Sequence, residues 1–74
     1  MKEEVTLLEA KKDGEELVLL DGRRLMVNPS DIPTACTWTP TAGLEITGTS
    51  DERMFPLKVR NVSNDIEIAA MWLG

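Results

Sequence analysis

The run from Phe55 to Trp72 constrains the fold more than any other stretch. Phe55, Leu57 and Val59 alternate with Pro56, Lys58 and Arg60, and the alternation resumes with Ile66, Ile68, Ala70 and Trp72 set against Asp65, Glu67, Ala69 and Met71. Strand side chains point to opposite faces with a period of two, so each run carries one apolar and one polar face. An antiparallel hairpin turning at residues 61–64 sets Arg60 opposite Asp65 and Lys58 opposite Glu67, and on the other face Val59 opposite Ile66, Leu57 opposite Ile68 and Phe55 opposite Ala70. A slip of one residue would destroy both patterns.

The rest of the chain reads as further short strands. Residues 4–12 form a first strand ending in Lys11-Lys12. Asp13-Gly14 suits a type I′ turn, which needs positive φ at both central positions. Residues 15–20 return as a second strand, with Lys12 facing Glu15 and Lys11 facing Glu16. Asp21-Gly22 repeats the turn signal before a third strand over 23–27, completing a meander. Pro29 and Pro33 then predict an ordered loop or a single 3₁₀ turn over 28–33. Residues 34–39, rich in threonine with Trp38, read as a fourth strand, and Leu44–Thr47 as a short fifth. Strands and turns at this spacing predict an all-β fold, a small antiparallel barrel or sandwich of about 5–7 strands, SH3-like or OB-like in size. With 74 residues the chain is one domain, 1–74, near the lower limit for a self-sufficient core; such a chain buries about 60% of its unfolded surface.

Composition narrows the chemistry. There is no histidine and one cysteine, so an intramolecular disulfide is excluded and a structural zinc site within one chain is disfavoured. No ordinary Ser-His or Cys-His nucleophile pair can form, and no glycine-rich phosphate loop occurs. Asp31, Asp51, Glu52, Asp65 and Glu67 are the carboxylates that could pair as acid and base, but they lie in predicted loops or opposite cations. Neither an enzymatic role nor a cofactor is expected. Cys36 reads as a small core residue, and Trp38 and Trp72 as core or interface.

The net charge of −5 comes from 8 basic and 13 acidic residues, with 3 and 7 of them in residues 1–22. That balance disfavours double-stranded nucleic acid and anionic membranes as partners. No apolar run resembles a signal peptide or a membrane span, so a cytoplasmic location is the expectation. Arg23, Arg24 and Arg53 are the candidate contacts for an anionic small molecule or single-stranded nucleic acid, should they converge beside a tryptophan.

The meander holds an anomaly. With two-residue turns, one face collects Leu7, Val18, Leu20, Leu25 and Val27, and the other Leu8, Ala10, Leu17, Leu19 and Met26. Both are apolar, whereas a sheet between core and water has one polar face. Leu8, Leu17, Leu19 and Met26 are therefore the candidate protein interface, most simply a homodimer contact.

Overall fold

The computed structural model describes residues 2–48 and 53–73. They form a closed, all-antiparallel barrel of six strands: β1 (Lys2–Lys11), β2 (Glu16–Leu19), β3 (Arg24–Val27), β4 (Gly43–Thr47), β5 (Leu57–Asn61) and β6 (Ile66–Leu73). Around the ring the order is β1-β2-β3-β6-β5-β4. Two three-stranded meanders are thus joined by two seams, β1 with β4 and β3 with β6. Closure makes this a barrel and not a sandwich, with one strand more than the five of an OB barrel. No helix among the described residues is long and apolar enough to cross a membrane.

The closing hairpin forms with the expected faces but a different register. Val59 sits opposite Ile68, Leu57 opposite Ala70 and Asn61 opposite Ile66, a slip of two residues that leaves the inward set unchanged. The cause is the position of the turn, which still takes four residues but sits one further along, at 62–65 instead of 61–64. The Asn61 side-chain oxygen accepts from the Ser63 N–H at 3.1 Å and from its hydroxyl at 2.9 Å, and the Asp65 N–H donates to the Asn61 carbonyl at 2.8 Å. Asp65, at φ 59, takes the left-handed position, which aspartate tolerates better than most residues. The expected ion pairs survive diagonally: Arg60–Asp65 at 2.7 Å and Lys58–Glu67 at 3.9 Å.

In the first meander two local features overturn the expected faces. The turn after β2 takes three residues, with Gly22 at φ 96 and the Leu19 N–H donating to the Arg23 carbonyl at 2.8 Å. Leu17 therefore pairs with Leu25 instead of Met26. In β1 the register shifts between Leu7 and Glu9, a bulge that places Leu8 outside and brings Leu7 opposite Leu19. Each is a one-residue shift, and each exchanges inside for outside. Leu7, Leu17, Leu19 and Leu25 are wholly buried, joined in the core by Val27, Leu44, Ile46, Val59, Ile68 and Ala70. Asp13-Gly14 does form the expected turn, both residues at positive φ, with Lys11 opposite Glu16.

Residues 34–39 do not form a strand. A 3₁₀ turn over Pro29–Asp31 leads into a one-turn helix, α1 (Ile32–Ala35). Pro33 is tolerated in the first helical turn, where its missing N–H costs nothing. Tertiary contacts outweigh the β-preference of the threonines. The Asp31 carboxylate accepts the Ala69 N–H at 2.9 Å, and Ala35 and Trp38 pack into the mouth of the barrel as part of the core. Gly14 is buried beneath this cap, so close that a Cβ on it would lie 2.6 Å from the Cys36 nitrogen. Cys36, expected in the core, is instead exposed at the helix end, its thiol 3.0 Å from the Pro33 carbonyl.

Candidate functional site

The candidate interface residues divide. Leu17 and Leu19 are fully buried in the core, which removes them from any interface; the bulge and the three-residue turn are the reason. Leu8 is 43% exposed and Met26 half-buried on the outer face. The outward residues of β2 and its turn are Val18 and Leu20, the latter 65% exposed. The outer face of the meander thus carries Leu8, Val18, Leu20 and Met26, with Glu9, Glu16 and Arg24 set among them, so it is mixed where the sequence reading has it apolar. Met26 pairs with Met71 across the β3–β6 seam, and the adjacent Leu73 is half-buried. These two extend the apolar surface onto β6.

The opposite side of the barrel is ionic. Glu45 on β4 is held by Arg60, whose Nε lies 3.0 Å away and whose Nη2 also reaches it, and by Lys2 at 3.3 Å. The Arg60 hydrogen bonds, then those from Lys2, hold the Glu45 carboxyl below its ordinary range, and Glu45 and Asp65 raise the Arg60 guanidinium.

The three candidate anion contacts do not form one site. Arg23 chelates Glu3 through both terminal nitrogens, binds Asp21 through Nε at 2.9 Å, and stacks 4.7 Å above the Trp72 ring. Its hydrogen bonds lower both carboxyls, and theirs raise the guanidinium. Arg24 lies on the outer face with Glu16 at 3.5 Å. Arg53 is exposed on the β4–β5 connection. A tryptophan does sit beside Arg23, yet that cation is already matched by two carboxylates.

The remaining carboxylates do structural work or fall outside view. Asp31 holds Ala69, Asp65 and Glu67 meet Arg60 and Lys58, and Asp51 and Glu52 lie outside the described residues. Among the described residues, no group of three or more His, Cys, Asp or Glu could hold a metal ion. Trp38 is buried as expected, and its Nε1 has no hydrogen-bond partner.

One feature of β1 has no sequence signal. The strand is 10 residues long and β2 only 4, so the two neighbours share it. Residues 2–6 pair with β4, and pairing with β2 begins only at Leu7. Beside the uncovered edge lies an open cleft of about 420 Å³, between residues 3–6 and the turn carrying Leu20, Asp21 and Arg23. Its lining bears three acids, Glu3, Glu4 and Asp21, against the single base Arg23.

Compared with protein-family models, curated proteins and solved structures, the chain matches none of them.

Proposed function

We propose that this chain is a non-enzymatic protein-interaction or assembly module of the cytoplasm, self-associating through the outer face of its first meander. The observation that carries the reading is the group of apolar side chains on the outer face of β1–β3. Leu8, Val18, Leu20 and Met26 stand outside a core that Leu7, Leu17, Leu19, Leu25 and Val27 already fill. Apolar side chains of this kind on a small domain, set opposite a face rich in ion pairs, mark a contact surface. The displaced pKa values belong to carboxylates and guanidinium groups matched in exposed ion pairs, and each carboxyl is lowered, not raised toward neutrality, which does not favour acid–base chemistry. The single cysteine is exposed and unpaired, in keeping with a reducing compartment. A role in binding an anionic small molecule or single-stranded nucleic acid draws less support, because Arg23 and Arg24 are engaged by carboxylates.

Sedimentation equilibrium of the native chain and of a Leu8→Lys/Leu20→Lys variant tests the reading. Both positions are exposed, so the variant keeps its fold by circular dichroism. A mass above that of the monomer, reduced to monomer in the variant, is the expected result. A native chain that stays monomeric up to millimolar concentration would sink self-association.

A further inference from the structure

We propose that the uncovered edge of β1, centred on Glu4, binds an extended basic segment of another protein as an added strand. The proposal names a partner chemistry for the interaction module above, but it rests on backbone geometry and not on the apolar face.

Backbone groups alternate in direction along an antiparallel strand, N–H and C=O of one residue pointing to the same side. The Thr6 carbonyl accepts the Leu20 N–H at 2.8 Å, so Thr6 faces β2. The next residue faces the other way: the Leu7 N–H donates to Ala42 at 2.9 Å, and its carbonyl accepts from Thr41 at 2.8 Å. Glu4, two residues before Thr6, therefore presents both of its ladder groups to the side where β2 has already ended. That side opens onto the acidic cleft. An extended peptide entering it gains main-chain hydrogen bonds in the manner of strand addition to a sheet edge, with alternate side chains setting specificity.

The charges choose the occupant. The Arg23 cation is engaged by Glu3 and Asp21, whereas Glu4 makes no ion pair among the described residues. A residue directly opposite Glu4 on an added strand shares its outer face, which calls for lysine or arginine there. Its two neighbours turn to the side that carries Glu3 and Val5, and suit valine or isoleucine because Glu3 is already engaged by Arg23. A second copy paired symmetrically about Glu4 would set glutamate against glutamate, a like-charge contact that destabilises. The edge therefore takes a basic strand of apolar–basic–apolar pattern and rejects its own kind.

The test uses a fluorescein-labelled peptide, Thr-Val-Lys-Val-Thr, with two controls: one N-methylated at the lysine nitrogen and one with glutamate for lysine. Binding is read by fluorescence polarisation, and amide hydrogen exchange of Glu4 by NMR. The expected result is saturable binding that slows Glu4 exchange at least tenfold, weakens at least tenfold in Glu4→Lys, and is lost with either control peptide. Glu4→Gln, which keeps the side-chain shape, should bind with intermediate affinity. Unchanged Glu4 exchange, or equal binding of the N-methylated peptide, would overturn the proposal. So would Glu4 protection that grows with protein concentration in the absence of peptide, which would put a second copy on the edge. The two readings fail separately. A monomer that protects Glu4 ends self-association and keeps the edge, and a dimer dissociated by the Leu8/Leu20 substitutions without peptide binding does the reverse.

Discussion

Replacing Gly14 with alanine tests how the helical cap sits on the barrel. Gly14 has φ +102, and a Cβ there would lie 2.6 Å from the Cys36 nitrogen, 2.8 Å from its Cα and 2.8 Å from the Ile32 carbonyl. These are backbone atoms that no side-chain rotation can move aside. The left-handed conformation alone costs an alanine about 1–2 kcal/mol. Forcing a methyl into a packed site adds about 1–3 kcal/mol. The sum, about 2–5 kcal/mol, is a large fraction of the roughly 4–11 kcal/mol expected for a chain this size. A loss near 3 kcal/mol corresponds to a fall of roughly 12–24 °C in Tm. Gly22 supplies the internal control, since its φ is +96 but a Cβ would meet nothing within 4 Å. The entropy that alanine removes from the unfolded chain is common to both sites and cancels. Urea denaturation followed by circular dichroism should therefore show Gly14→Ala less stable than Gly22→Ala by about 1–3 kcal/mol, the steric part alone. Equal losses at the two glycines would mean that α1 does not rest on the 12–14 turn.

Two further outcomes follow from single contacts. Asp31→Ala leaves the Ala69 N–H without its acceptor, and removing a charged partner from a nearly buried group costs about 1.5–3 kcal/mol; Asp31→Asn should recover part of it, and urea midpoints measured on both would decide. The ion pairs of Glu45 and Glu3 predict an acid limb. Both carboxyls are lowered in the folded state from an ordinary value of 4.5, so their stabilisation is present above that pH and is lost as pH falls below it through the folded pKa. Arg60→Met should melt earlier than the native chain at pH 7, with the gap in Tm shrinking below pH 4.5. A gap that stays constant down to pH 2.5 would show that Arg60 contributes packing and not charge.

The sequence discloses much of this fold because strand faces are written in periodicity. The hairpin of β5 and β6 keeps its inward residues even though its register differs by two, since Val59 and Ile68 lie on the same face in either pairing. The first meander is less legible. Asp21-Gly22 signals a turn without saying whether two residues or three close it, and nothing in Leu7-Leu8-Glu9 announces a bulge. Because an odd shift exchanges the faces, Leu17 and Leu19 moved from candidate contact to core, while Val18 and Leu20 went outward. The segment 34–39 carries a β-preference in its threonines, which is overridden once Trp38 and Ala35 fill the barrel mouth. The uncovered edge at Glu4 depends on the unequal lengths of β1 and β2, which no local turn signal announces.

The seams between the two meanders also limit how this architecture can change. Going round a closed ring in which every neighbour pair is antiparallel, strand direction must alternate without a break. Only an even number of strands satisfies that condition. Loss or gain of one strand would force two parallel neighbours together somewhere, with the long crossover that a parallel pair demands. Such a ring can therefore grow or shrink only by a whole hairpin at a time, so length variation within its present form is confined to the turns and to the two connections at 28–42 and 48–56.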